Sequence, residues 1–425
     1  MIDPDGSVRA GTVPALVKHL TSPEQETDST FFNSFLMTFK SFTTVDELFE
    51  LLVQRFSIQP PPKMSRADRK DWLKWKHGIQ RRVLDTFRSM VVDDGISEKD
   101  DMFILNRMKD FLATEEVANF PVAKQLSKLI KQKGSNTGPE VVTPPLVLQS
   151  SKKLKPLDID PVELAQQLTI TESQLYCKIR LLECLQQENG PSITNFIQNT
   201  NKVCAVAPLG FVLISFEKIQ LWVTGCILSE ENLPQRAKAV EHAINVADCC
   251  RSLNNFSTMY AITSGLNSPP VRRLKWTWDR IDHKHTALFK ACEDIIGSNR
   301  GFSMYRSLMT SVNPPCVPLV GIYLSSLRFI QDGYPDMSPA KDRDAPTLIN
   351  FRKRRKAWEV INDLKRWQVP YNLDSIPSIQ AYVGESLNSI SGTTESGFWE
   401  RSLELEPRTR EDEKMARLLQ ESGFL

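Results

Sequence analysis

The sequence predicts an all-α protein built as two helical domains. Three observations carry that expectation. Apolar residues recur at spacings of three and four through most of the chain, strand-like alternation is scarce, and the composition breaks between about residues 132 and 157. A chain of 425 residues also exceeds the roughly 250–300 at which a single core stops growing. Hydrophobic residues at 41% and charged residues at 24% leave ample material for two cores.

Taken in order, the first helical stripe is FFNSFLMTF, residues 31–39. Thr44 then stands as a helix cap with Glu47 at the capping-box position, ahead of Leu48, Phe49, Leu51 and Leu52. Three prolines at 60–62 interrupt the pattern. A second helix from about Asp71 carries Trp72, Trp75, Val83, Leu84 and Phe87, and a third carries Ile104, Met108 and Phe111. The run KGSNTGPEVVTPP marks a linker. Beyond it, Asp160 reads as an N-cap with Pro161 in the first helical position. Helical periodicity continues to about Ile390, and Arg408–Gln420 reads as a charged, solvent-facing helix.

Composition excludes several function classes. A formal charge of +2 gives no reason to expect nucleic acid. The eight cysteines form no CxxC pair and match no histidine spacing, which predicts buried thiols in a reducing compartment. No signal segment is expected. The longest apolar stretch, Val203–Phe216, is interrupted by Pro208 and Gly210 and is too short to span a bilayer, so a soluble protein is expected. Phosphate loops, dinucleotide fingerprints and zinc-protease or serine-hydrolase motifs do not occur. His283 and His285 beside Asp282 read as a polar connector, so neither a metal nor a cofactor is called for. From the residues alone, a recognition module and an enzyme remain equally open.

Four strings go further. They are DPVELAQQL (160–168), LNNF (253–256) running into SGLN (264–267), NPPCVPLVGIYL (313–324), and LINF (348–351) followed by KRRK (353–356). In that order they resemble the Ras guanine-nucleotide exchange factor catalytic domain, the family of Son of sevenless. FLMTFKSFTTVDELFELL (35–52) is similar to the Ras exchanger motif domain that precedes it, and the likeness resembles fungal-type members most.

The resemblance implies an exchanger motif domain over 1–135, a linker over 136–156, a catalytic domain over 157–395 with a protruding helical hairpin, and a charged tail over 396–425. It implies a Ras-family small GTPase as partner, GDP-bound and then nucleotide-free. The exchange factor would act without covalent chemistry, in the cytoplasm, and would meet the plasma membrane through the lipidated GTPase. A wedge helix would begin near Leu319, run through about Ile330, and end at Gly333 and Pro335. Asp332 would aim at the GTPase phosphate loop. Arg328 departs from the family's apolar residue at that place, and Ser326 from its amide or acid. Asn199, Thr200, Asn201, Asn267, Arg272, Arg273 and Asn350 match further GTPase-facing positions. The KRRK run would brace the second hairpin helix, whose apolar side is Phe351, Trp358, Ile361 and Leu364.

One segment departs from the resemblance. Relatives run a continuous helix from Asn201-Lys202 into Leu221-Trp222-Val223, whereas here Val203–Gln220 intervenes, with Pro208 and Gly210 expected to break it. It reads either as a translated intron or as an insertion proper to this lineage. A catalytically impaired scaffold that binds the GTPase without releasing nucleotide is the alternative function.

Overall fold

The computed structural model describes residues 1–25, 28–62, 64–92, 102–135, 155–179, 184, 208–297, 301–338, 346–390, 395–407, 415 and 418–422. Among them the secondary structure is helical apart from one small sheet, as the periodicity predicts. The chain divides into two compact units, Met1–Val142 with Ser325–Asn362, and Thr143–Leu324 with Asp363–Leu425.

The first unit contains α1 (Val13–Leu20), α2 (Ser29–Thr38), α3 (Val45–Phe56), α4 (Arg66–Val92), α5 (Met102–Leu112), α6 (Glu115–Ala118) and α7 (Pro121–Ser135). Asp28 caps α2 by accepting from the Phe31 amide at 2.9 Å. Thr44 caps α3 through the Glu47 amide at 3.1 Å, but Glu47 takes its own hydrogen bond from the Thr43 hydroxyl at 2.6 Å, a variant of the expected box. The apolar stripe of α3 (Leu48, Phe49, Leu52, Phe56) meets Val83, Leu84 and Phe87 of α4 in the core, and Phe111 of α5 stands edge-on to Phe49, Phe56 and Phe87.

This unit also holds three short strands, β1 (Ala10–Gly11), β2 (Met337–Ser338) and β3 (Leu348–Asn350), antiparallel in the order β1-β3-β2. Ala10 faces Asn350 and Met337 faces Ile349. Strands of two or three residues are too short for a period-two pattern to show in the sequence. α1 likewise precedes the first helix that the periodicity marks.

The second unit contains α8 (Pro161–Cys177), α9 (Pro208–Ser229), α10 (Leu233–Ser252), α11 (Phe256–Leu266), α12 (Pro269–Arg272), α13 (Lys275–Trp278), α14 (His283–Ile296), α15 (Ser303–Met309), α18 (Pro377–Ser389) and α19 (Glu395–Leu405). Two further helices, α16 (Val320–Gly333) and α17 (Phe351–Arg366), each carry residues of both units. Asp160 caps α8 as expected, accepting from Val162 and Glu163 with Pro161 next in line.

Several expectations are corrected. Gly210 does not break a helix: it lies in the first turn of α9, which begins at Pro208, where the missing N–H costs nothing, and the run from Asn201 up to Pro208 lies outside the described residues. In the described part of the 203–220 segment Val212 and Ile219 are buried and Phe216 lies 5.2 Å from Tyr260. Gly265 of α11 packs so closely on α9 that an added Cβ would stand 2.8 Å from the Gln220 carbonyl oxygen. α9 is also long and apolar enough over Gly210–Ser229 to cross a membrane by length and composition, contrary to the sequence expectation. It packs on α8, α11 and α18, as a core helix does. His283 and His285 lie in the first turn of α14, not in a connector. Finally, within the charged tail expected over 396–425, α19 packs on α9 and α12 and Glu406 beyond it is buried, so this first part packs into the second unit. Most of 408–425 lies outside the described residues.

Glu172 sits 1% exposed where α8, α9 and α11 meet. It accepts from the Ser215 hydroxyl and, at 3.4 Å, from the Ser257 hydroxyl. Burial pushes its carboxyl up to about 7, and the two serines pull it back only in part. From about pH 4.5 to 7 the folded protein therefore holds a proton that the unfolded chain releases. Stability falls as pH rises through that window and levels off above it. Glu172→Gln is expected to flatten this dependence. In urea denaturation it should stabilise the protein by on the order of 3 kcal/mol at pH 8 and by little at pH 4.5. Equal shifts at both pH values would contradict the buried-proton account.

Candidate functional site

Two of the family-like strings form a single joint in the second unit. Asn254 adopts a left-handed conformation (φ 57°), one that asparagine tolerates. Its carbonyl accepts from the Val317 amide at 3.1 Å, while the Val317 carbonyl accepts from Phe256 and Ser257 at 3.0 and 3.2 Å. Asn255 caps α11 through the Thr258 amide and donates to the Thr169 hydroxyl at 2.9 Å. LNNF is thus the clamp that seats the proline-rich segment 313–318.

That clamp delivers the chain to α16. Leu319 is buried, and its amide donates to the Tyr305 hydroxyl at 2.9 Å, giving a partner to an N–H just ahead of the first helical turn. Tyr323, one turn in, accepts from the Trp367 indole N–H at 3.0 Å, just beyond α17. Tyr176 donates to the Leu364 carbonyl at 2.8 Å. Burial drives the hydroxyls of Tyr176, Tyr305 and Tyr323 well above the ordinary tyrosine value and pushes the Cys316 thiol up to about 12. These groups stay protonated and serve the fold, Tyr176 as a donor and Tyr305 and Tyr323 as acceptors, and Cys316 is not a nucleophile. None of the seven described cysteines forms a disulfide.

In the first unit, the far ends of α16 and α17 meet around Asp336. Its carboxylate pairs with Lys353 at 2.9 Å and Arg354 at 3.0 Å, and both cations are buried. Lys353 also donates to the Gln331 carbonyl at 3.2 Å, and Arg354 to the Asp336 carbonyl at 2.9 Å and the Ser41 hydroxyl at 3.3 Å. Desolvation alone would raise the Asp336 carboxyl. The Lys353 hydrogen bond and the two cationic charges outweigh it and hold the group below its usual value. Phe351 packs against Phe31 and Phe35, with ring centroids at 4.6 and 6.4 Å. The KRRK run therefore carries two buried braces, and Ile361 and Leu364 are buried as expected, with Trp358 half-buried.

The site residues expected from sequence fall into three groups. Ser326, Arg328 and Asp332 lie on α16, which begins at Val320 as expected and continues to Gly333, past Ile330. Ser326 is half-buried, whereas Arg328 and Asp332 are exposed and pair with each other at 2.8 Å. Between them Phe329 is 77% exposed, a residue the sequence reading passed over because periodicity does not mark an apolar residue on the wrong face. A second group serves the fold. Asn350 is 8% exposed, donates to the Pro335 carbonyl at 2.9 Å and accepts from the Lys353 amide at 3.4 Å. Arg273 donates to the Ser402 carbonyl at 2.6 Å and lies over Trp399. Asn267 ends α11 and donates to Glu293 at 2.9 Å, and Arg272 lies exposed over Trp278 and Phe289. The third group, Asn199, Thr200 and Asn201, lies outside the described residues. Asp336, Tyr305 and Trp367 were also missed, because nothing in their local sequence announces a long-range partner.

Glu241, Asp282 and His285 bring ligand-type atoms within 4.8 Å of one another. Asp282 is the N-cap of α14, accepting from the His285 amide at 2.8 Å and facing its Nδ1 at 2.7 Å, so helix capping accounts for the arrangement.

Comparison with known proteins agrees with the four strings. Residues 163–355 match the RasGEF domain and residues 7–111 match the RasGEF N-terminal motif. The chain belongs to the Ras guanine-nucleotide exchange factor family. Among relatives, it is 31% identical over 432 residues to cell division control protein 25 of Candida albicans and 32% identical over 457 residues to its namesake in Saccharomyces cerevisiae. It is 28% identical over 422 residues to the Ras guanine nucleotide exchange factor efc25 of Schizosaccharomyces pombe. Each match covers 96% of this chain but only 31%, 27% and 40% of the relative's length, so the chain spans a third or so of these proteins.

Because Asp336 holds two buried cations, Asp336→Asn is expected to cost about 1–3 kcal/mol at pH 7. The sign follows from the lowered carboxyl: the contribution is present above about pH 3.8 and is lost as pH falls through the folded-state value. Thermal denaturation of both proteins at pH 7 and pH 3 checks this, and an unchanged midpoint at pH 7 would refute the bracing role.

Proposed function

We propose that this chain is a guanine-nucleotide exchange factor that promotes GDP release from a Ras-family small GTPase. It would insert α16 and α17 as a hairpin and stabilise the nucleotide-free state. The observation that carries the reading is the division of labour along α16. Its first turns are buried and hydrogen-bonded from Leu319 to Tyr323, while its last turns present Arg328, Phe329 and Asp332 to solvent. Contacts of Tyr323 with Trp367 at one end and of Gln331 with Lys353 at the other support an antiparallel hairpin.

No bond-making step is required. A GTPase that holds its nucleotide with picomolar affinity does so by about 16 kcal/mol. A partner speeds release only if it binds the empty form far better than the loaded one. That calls for a broad interface, above the usual ~1,600 Å², and for an element stiff enough not to yield in place of its target. Asp332 is the group we assign to the phosphate loop, where a carboxylate competes with phosphate for a lysine and a hydroxyl. Phe329 is assigned as the apolar contact beside it. Residues 7–111 would support the hairpin from within the first unit. Cytoplasmic residence, with recruitment to the plasma membrane through the lipid anchor of the GTPase, belongs to the same proposal.

The alternative, an impaired scaffold that docks the GTPase without releasing nucleotide, is favoured by one observation: the Asp332 carboxylate is already engaged by Arg328. Release of a fluorescent GDP analogue from purified Ras, Rap and Rho proteins decides between them. Acceleration with a Ras protein is the expected result; binding without acceleration would favour the scaffold, and neither would overturn both readings. Asp332→Ala should slow exchange about tenfold or more while weakening binding less. Equal losses would reduce Asp332 to a contact residue. Phe329→Ala should weaken the complex with nucleotide-free Ras by about 1–2 kcal/mol.

A further inference from the structure

The last turn of α16 and the segment that leaves it hold two carboxylates in opposite situations. Asp336 is tied to two buried cations, each with further partners in the fold. Asp332 is paired with Arg328, one helical turn earlier, and both side chains are about half exposed (57% and 49%). The nearby cations Lys353 and Arg354 are committed to Asp336, and Lys356 lies over Tyr334, so Arg328 is the cation that serves Asp332. Three features make this pair easy to open. It is solvated, and exposed pairs are weakly held. It has the basic residue N-terminal to the acidic one, the less favourable order at this spacing. It also lies in the last turn of α16, where the helix's own carbonyl ends repel a carboxylate.

We infer that Arg328 is an intramolecular competitor for Asp332. In the free protein its guanidinium occupies the carboxylate that the GTPase must take, and productive docking opens this pair. The inference rests on the exchange-factor reading and gives Arg328 a role that limits the rate. The GTPase phosphate-loop lysine replaces Arg328 as the partner of Asp332, and the exchange of one cation for another leaves no carboxylate unpaired along the way. The Asp336 knot keeps the tip in place while this happens, because its cations are buried and cannot follow.

The test is a double-mutant cycle in the full chain, read as fluorescent-GDP release from a purified Ras protein and as affinity for the nucleotide-free form. Arg328→Ala should accelerate release about two- to five-fold, the range an exposed pair allows, and tighten binding by a similar factor. Arg328→Lys, which retains a cation one turn from Asp332, should remain near the wild-type rate. The Arg328→Ala gain should vanish in an Asp332→Asn background. If Asp332→Asn slows release but Arg328→Ala slows it too or leaves it unchanged, the competition is refuted and the exchange reading stands. An acceleration by Arg328→Ala that persists beside Asp332→Asn refutes it equally. If Asp332→Asn has no effect, the assignment of Asp332 itself is wrong and the inference falls with it. If no protein in the series releases nucleotide, the exchange reading fails.

Discussion

Two buried cations set the conditions for the rest of the structure. Lys353 and Arg354 are about 5% exposed, and a charge taken that far from water costs several kcal/mol unless it is paired. Asp336 supplies the pairing, and it does so from the segment that leaves α16. The end of one helix is thereby bound to the start of the next. The same stretch adds strand pairings of β3 to the N-terminal β1 and to β2, and packs Phe351 against both Phe31 and Phe35. Removing Asp336 would leave two buried cations without their charge partner. Polar groups with no alternative partner specify one arrangement, whereas apolar packing tolerates several.

The base of the same helices follows the same rule within the second unit. Tyr305 receives the Leu319 amide, Tyr323 receives the Trp367 indole, and Tyr176 reaches the Leu364 carbonyl. Burial raises all three hydroxyls, so Tyr176 keeps the proton it donates to Leu364 well above neutral pH. The proline-rich segment needs such help. Prolines at 314, 315 and 318 donate no backbone hydrogen bonds, and the sequence compensates by clamping Val317 on both sides to Asn254, Phe256 and Ser257. A string that reads as a signature is, in physical terms, a hydrogen-bond repair.

How much of this was legible follows from the range of each interaction. Local signals were read correctly: Thr44 and Asp160 cap their helices, and the stripe through Leu48, Leu52 and Phe87 is core. The start of α16 at Val320 was legible because proline cannot lie within the helix before it. Pairings between residues far apart in sequence were not. Asp336 looks like a turn aspartate, Tyr305 like any helical tyrosine, and Asn350, expected to face a partner, is consumed by Pro335 and Lys353. Arg272 and Arg273 are adjacent and looked equivalent, yet one lies exposed over Trp278 and the other is turned onto Ser402 and Trp399. In the segment after Pro208, Val212 and Ile219 are core because α9 meets α8 and α11, a long-range pairing that no local pattern announces.

An element that pries a partner open must satisfy two demands that conflict within a single side chain. It must not deform, which calls for burial and committed hydrogen bonds, and it must offer groups that can change partners, which calls for exposure and weak pairing. In α16 the demands are separated along the helix. Val320, Ile322, Tyr323 and Leu324 are buried, as is Leu327, and the next residues, Arg328 and Phe329, are exposed. The switch takes place within one turn, so the exposed charges are carried on backbone whose preceding turn is fixed. Asp336, only four residues beyond Asp332, restores the committed kind of contact immediately afterwards. The exchangeable pair is thus bracketed on both sides by groups that cannot exchange. This allows a weak interaction to be positioned as accurately as a strong one.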